Sequence, residues 1–128
     1  MFAVPAVKGI DFGLGFDFVH YKASECNDAY TIKDNNNIKV VETKTNNNGG
    51  ILGGISNGMP IIVNVVIKPT PSISKEQFTL NIETKEEETL IIKGRHDPCI
   101  AVRAVPVIEA ALAIAILDLC IDMKGKLL

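Results

Sequence analysis

What this sequence has little of excludes more than what it holds in plenty. Its 128 residues carry a formal net charge of −2, so a general electrostatic grip on nucleic acid or on an acidic membrane is excluded. A polyanionic partner would need a local basic site. Cysteine is sparse: Cys26, Cys99 and Cys120 form an odd set at wide spacing with no CxxC pair. That pattern supports neither a disulfide framework nor a zinc site, and it predicts a reducing, cytoplasmic home. The N-terminus, MFAVPAVKGIDF, has no basic stretch ahead of its short apolar run, which Pro5 and Lys8 interrupt. It is not a secretory signal and reads as the middle of a structural element. Internal repeats and linkers are also missing. The one long apolar stretch, Cys99 to Met123, contains Arg103, Glu109, Asp118 and Asp122, so it reads as a soluble core helix rather than a membrane span.

What is there is ordinary globular material, 47% hydrophobic and 22% charged, enough for one domain across residues 1–128. Gly9, Gly13 and Gly15 punctuate an irregular turn through DFGLGFD. Tyr30 and Ile32, then Ile38, Val40 and Val41, flank the loop Asp34 to Asn37, which predicts a hairpin closed by asparagines that tolerate left-handed backbone. In GGILGGISNG, five glycines in ten positions (Gly49, Gly50, Gly53, Gly54, Gly58) deny the segment regular structure and allow close backbone approach. Ile61 to Ile67 is β-branched almost throughout, bounded by Pro60 and Pro69, and reads as a strand covered on both faces with Asn64 as its one polar interruption. Phe78, Leu80 and Ile82 alternate with polar residues, and TKEEE then precedes Leu90 to Ile92, a second hairpin with a solvated turn. From Ala104 to about Asp122 apolar residues lie nearly all round, so the last element is a buried helix, with 98–103 a turn or a short helical piece before Pro106. The expected fold is α+β: a mostly antiparallel sheet and hairpins covered by a long buried C-terminal helix.

Three segments carry candidate chemistry. GGILGGISNG is neither a Walker A loop nor a dinucleotide fingerprint, and such loops are often plain turns. Lys68-Pro69-Thr70-Pro71-Ser72-Ile73 places a cation, two hydroxyls and a proline-stiffened backbone directly after a strand, which suits a phosphate or the edge of a ring and equally suits a stiff exit loop. Gly94-Arg95-His96-Asp97-Pro98-Cys99 is the third. The chain has eleven lysines but only two arginines, Arg95 and Arg103, so both planar forks able to bind an anion bidentately fall within nine residues of each other. Asp followed by Pro is also a good N-cap and first-turn pair for a helix start. Even so, Arg95, His96 and Asp97 side by side ahead of a helix mark where proton transfer beside an anion site is expected.

At these residues the sequence resembles the chorismate synthases. PAVKG (Pro5 to Gly9), NNGGILGGISNG (Asn47 to Gly58), KPTPSI (Lys68 to Ile73), and GRHDPC with RAVPVIEA (Gly94 to Ala110) stand in the order and spacing of the C-terminal part of that family. The resemblance runs from about Met1 to Asp122. KPTPSI carries Pro71 where many relatives carry Ser, which removes one hydroxyl. The resemblance implies a lyase of the shikimate pathway of aromatic amino acid biosynthesis. Such an enzyme converts 5-enolpyruvylshikimate 3-phosphate to chorismate and phosphate by 1,4-elimination, with reduced FMN as cofactor. It implies that Pro5, Ala6, Gly53, Lys68, Pro69, Thr70, Pro71, Ser72 and Arg95 touch FMN. It further implies that Arg95 lies near the substrate's anionic groups and that Asp97 assists proton movement around flavin N5.

The family's N-terminal portion, with its GESHG-type and SGR-type motifs and most of the arginines that clamp the substrate, is absent from these residues. Two arginines cannot surround a phosphate and two carboxylates alone. The expectation is therefore a C-terminal part, inactive by itself, partnered by a complementing N-terminal segment or by copies of itself, since full-length relatives are homotetramers. Two other readings predict differently. A flavin- or phosphate-binding module without catalysis would bind its ligand with no rate to lose at Asp97. A structural fragment would bind no flavin and would associate through its apolar helix.

Overall fold

The computed structural model describes residues 1–126. The chain divides into two compact units, one of residues 2 and 7–66 and one of residues 1 and 3–6 with 67–126.

In the unit of residues 7–66, strand β1 (Val7–Phe12) pairs with β6 (Val63–Ile67). A 3₁₀ turn at Gly15–His20 and a single helical turn, α1 (Ala23–Cys26), follow β1. Both lie in stretches where the sequence shows no regular period. Asn64 has a clear task on β6: its Nδ2 donates to Asp11 Oδ1 at 2.7 Å and to the Gly13 carbonyl at 3.0 Å, tying the strand to the turn after β1. Burial along β6 alternates between half-buried and exposed residues, so the expected covering of both faces is not found.

The expected first hairpin is present and tighter than its four-residue loop suggested. Strands β2 (Tyr30–Asn35) and β3 (Ile38–Thr43) pair antiparallel with Asn35 opposite Ile38, so only Asn36 and Asn37 turn. Both have positive φ, 52° and 68°, the geometry of a type I′ turn, which asparagine tolerates better than other side chains. Asp34 Oδ1 accepts the Asn37 amide at 3.0 Å.

The glycine segment corrects the sequence reading. Instead of lacking regular structure, it folds into a miniature antiparallel hairpin, β4 (Ile51–Leu52) with β5 (Ile55–Ser56), turned by Gly53 and Gly54 at φ 58° and 80°. The glycines deny a long element but supply the two positive φ values of a two-residue turn. The expected close approach occurs at Gly13 and Gly49. A Cβ at Gly13 would run into the Asn47 carbonyl, and one at Gly49 into the Gly13 amide. This contact lets the Leu14 amide reach the Asn47 carbonyl at 2.8 Å and the Ile62 amide reach the Gly49 carbonyl at 3.1 Å. Val7, Thr43, Gly49 and Gly50 are the buried residues among those described, so the tightest part of the chain is this glycine crossing.

In the other unit, β7 (Gln77–Leu80) and β8 (Glu87–Leu90) form the second expected hairpin, antiparallel, with Leu80 opposite Glu87. Asn81 organises its tip by accepting the amides of Glu83 and Thr84 on Oδ1. The strand β8 starts earlier than expected and includes two of the glutamates. Helix α2 (Ala101–Lys126) begins three residues ahead of the expected start and keeps Pro106 inside it. Its first turn is closed by the Arg103 and Ala104 amides on the Ile100 carbonyl.

The α+β class holds, as small antiparallel ladders and one long helix. The burial of that helix does not: over Ala101–Gly125 it is long and apolar enough to cross a membrane, and none of that stretch is buried. The reason is dimensional. A helix of 26 residues is ~39 Å long, whereas four-residue strands extend only ~13 Å, so a single small hairpin cannot cover it.

Candidate functional site

The expected site residues fall on loops at strand ends and ahead of α2. The structure joins two of the motif segments directly. The Lys68 amide donates to the Ala6 carbonyl at 2.7 Å, which brings PAVKG against the start of KPTPSI. Ala6 holds φ at 68°, a left-handed conformation that costs a residue with a Cβ about 1–2 kcal/mol, and this turns its carbonyl to the bond. Pro5, Lys68, Pro69 and Pro71 are exposed, and Thr70 and Ser72 are half-buried.

Thr70 carries the most informative atom of the group. Its Oγ1 is buried and has no hydrogen-bond partner, one of two such side-chain atoms among the described residues, with Asn46 Oδ1. A buried hydroxyl left unpaired costs about 1–3 kcal/mol, so a donor or acceptor from outside this chain would find a ready partner there.

In the GRHDPC segment each side chain has a distinct situation. His96 Nε2 donates to the Ile92 carbonyl at 2.9 Å, which fixes the ring at the end of the strand region. Arg95 is exposed and makes no ion pair or hydrogen bond among the described residues. Asp97 does not start the helix, as Asp-Pro predicted it could. Instead its Oδ2 lies 3.1 Å from the Arg103 guanidinium in the first turn of α2. Gly53, at the β4–β5 turn of the other unit, is exposed, with open space where a Cβ would stand.

Sequence reasoning missed Asp28. Just past α1, its Oδ1 accepts the Thr45 hydroxyl at 2.7 Å and the Asn47 amide at 2.8 Å, while its Oδ2 accepts the Asn48 amide at 2.9 Å and Asn48 Nδ2 at 2.8 Å. Burial pushes its pKa up, but the hydrogen bonds from Thr45, Asn48 and Asn47 outweigh it and hold the carboxyl below its ordinary value. With all four contacts supplied by the segment that follows β3, Asp28 is a clasp on the asparagine run that leads into the glycine hairpin. A cavity of about 160 Å³ adjoins it, lined by Asn27, Tyr30, Thr43, Asn48, Leu52 and Asn57. That is below the ~300–1,000 Å³ of small-molecule sites, and no residue expected at the cofactor lines it. The only hint in the sequence was Asn27-Asp28 ahead of Thr45 and a run of asparagines at 46–48, with no spacing rule to connect them.

The chain is thus an α+β protein whose candidate cations, hydroxyls and carboxylate lie in two loops, one at a strand end and one ahead of a helix, and among the described residues the motif segments are tied to one another only at Ala6 and Lys68. Comparison with known proteins gives the family. A family model described as chorismate synthase matches residues 1–121. The chain is 51% identical over 122 residues to the chorismate synthase of Archaeoglobus fulgidus, covering 95% of this chain and 32% of that protein. With that of Methanococcus aeolicus it shares 53% over 118 residues, covering 92% and 31%, and with that of Thermococcus gammatolerans 46% over 125 residues, covering 98% and 34%. The chain belongs to the chorismate synthase family, and it spans about a third of the length of these curated relatives.

Proposed function

We propose that these residues form the C-terminal, flavin-facing part of a chorismate synthase. The whole protein would convert 5-enolpyruvylshikimate 3-phosphate to chorismate and phosphate in the cytoplasm, with this chain inactive on its own. The observation that carries the reading is the family match across residues 1–121, within which PAVKG, the glycine segment, KPTPSI and GRHDPC are all retained. The remaining two-thirds of the family's length would supply the missing arginines and cover α2 within the larger family fold, and the complete enzyme would be a tetramer.

The residues suit reduced FMN by their chemistry. Thr70 offers a buried hydroxyl with no partner, Lys68 and Arg95 offer exposed cations, and the Ala6–Lys68 bond sets the adjoining backbone. Pro5, Ala6 and Lys68 to Ser72 would hold the cofactor. Held there, reduced FMN would supply electron density for the elimination of phosphate. Arg95 binds the substrate's anionic groups with a planar fork that a lysine cannot reproduce. Asp97 assists movement of the proton at flavin N5.

The test is complementation. Co-expressed with the remaining segment of the Archaeoglobus fulgidus relative, the chain is expected to release phosphate from 5-enolpyruvylshikimate 3-phosphate in the presence of reduced FMN. Asp97→Asn should lower kcat about 100-fold, the size of a lost proton-transfer group, and leave FMN affinity within about twofold. Turnover by the purified chain alone would sink the claim that it is inactive by itself. FMN binding with no turnover under complementation would favour a non-catalytic module.

A further inference from the structure

We infer that Arg103 is a positioning residue for Asp97, so that the chain's two arginines divide the work: Arg95 meets the anion and Arg103 holds the carboxylate. This rests on the chorismate synthase reading above. The two forks are in different situations. Arg95 has no ion pair or hydrogen bond among the described residues, whereas Arg103 Nη1 is 3.1 Å from Asp97 Oδ2.

The local chain explains why Asp97 needs holding. It lies outside regular structure, and its side chain is 39% exposed. Pro98 restricts the backbone of the residue before it to extended conformations, so the Asp97 main chain is already confined and its side-chain torsions are what remain free. Asp97 accepts no hydrogen bond from any backbone amide or hydroxyl among the described residues, and the Arg103 guanidinium is its polar anchor. Arg103 itself hangs from a rigid element, since its amide bonds to the Ile100 carbonyl at 3.0 Å in the first turn of α2. An ion pair this exposed contributes little to folding. Its value is geometric: it aims a loop carboxylate from a helix, and a misplacement near 1 Å at a reacting group is enough to cost ~100-fold in rate.

Two measurements test this. In the chain alone, the Cα–Cβ torsion of Asp97 is read from NMR scalar couplings; one rotamer is expected in the wild type and averaging over rotamers in Arg103→Gln. In the complemented enzyme, Arg103→Gln is expected to lower kcat about 10–100-fold with KM and FMN affinity within about threefold. Arg103→Lys, which keeps the cation without the fork, should recover part of that loss. A merely structural role would lower the yield of assembled enzyme and leave kcat per flavin site intact. Couplings already averaged in the wild type, couplings unaffected by Arg103→Gln, or a wild-type kcat in Arg103→Gln would each overturn the assignment. If the complemented wild type fails to turn over, the chorismate synthase reading falls and takes the catalytic role of the pair with it, while the couplings still decide whether Arg103 holds Asp97.

Discussion

Replacing Asp28 with Ala removes one carboxylate and strands four donors at once: the Thr45 hydroxyl, the Asn47 and Asn48 amides, and Asn48 Nδ2. A hydrogen bond to a charged group contributes about 1.5–3 kcal/mol. The four cannot simply be added, because they share one acceptor group and water reaches the half-exposed site, which brings the expected loss to about 2–3 kcal/mol. Asp28→Asn keeps the shape but turns an NH₂ toward two of the donors, and should lose about 1–2 kcal/mol. The assay is amide hydrogen exchange at Asn47 and Asn48, with the thermal midpoint alongside, expected to fall by ~10 °C in Asp28→Ala. The pH dependence has a definite sign. The folded-state carboxyl titrates below its ordinary value, so the clasp contributes fully above about pH 4 and is lost as pH falls through the lower folded-state value. Protection at Asn47 and Asn48 should therefore be flat from neutrality to about pH 4 and collapse only below it. Wild-type protection at these amides in Asp28→Ala would refute the clasp.

Two further substitutions probe the backbone and the orphaned hydroxyl. Gly13 and Gly54 both hold positive φ, but only Gly13 has backbone where a Cβ would stand. Gly54→Ala should cost about 1 kcal/mol, the left-handed penalty alone, and Gly13→Ala clearly more by thermal denaturation; equal losses would mean that the glycine crossing is not tight. Thr70→Val removes a buried hydroxyl that has no partner, so it should leave the chain's thermal midpoint unchanged or slightly raised. In the complemented protein it should weaken FMN binding about tenfold by fluorescence titration, and unaltered affinity would remove Thr70 from the site.

Where order is local, the sequence was legible. The hairpin turning at Asn36-Asn37 and the one ending in the glutamate tip follow from period-2 patterns and turn residues within a few positions of each other. The helix was legible too, since an apolar run of that length has few alternatives. Long-range ties were not legible. Asp28 reaches loop residues 17–20 positions away, and Asn64 reaches back to Asp11 and Gly13. Neither leaves a periodic trace, because a single polar side chain can find its donors at any separation. At the candidate site the residue types were readable, yet their roles were not. The pairing of Asp97 with Arg103 rather than with a helix amide depends on where α2 begins, and Pro106 argued for a later start than the one adopted.

The missing burial of α2 can be put on a scale. Two compact units that share a mass of 13.8 kDa would together expose about 8,000 Å² if each were as smooth as a typical monomer of its size, however they are arranged. The chain exposes 10487 Å². The excess, roughly 2,500 Å², is the size of an obligate interface and much larger than the apolar patches of ordinary monomers. Its chemistry is apolar: Ile114, Leu117, Leu119 and Ile121 stand exposed along the helix, and Phe78 is 90% exposed on the hairpin. A helix that is apolar all round gains its stability from being covered, and the four two-stranded ladders among the described residues are each marginal until further strands or a helix complete them. The same deficit thus shows in two independent ways: in the surface and in the ladders. Under the proposed reading a single cause, the two-thirds of the family's length that these residues do not span, would account for both.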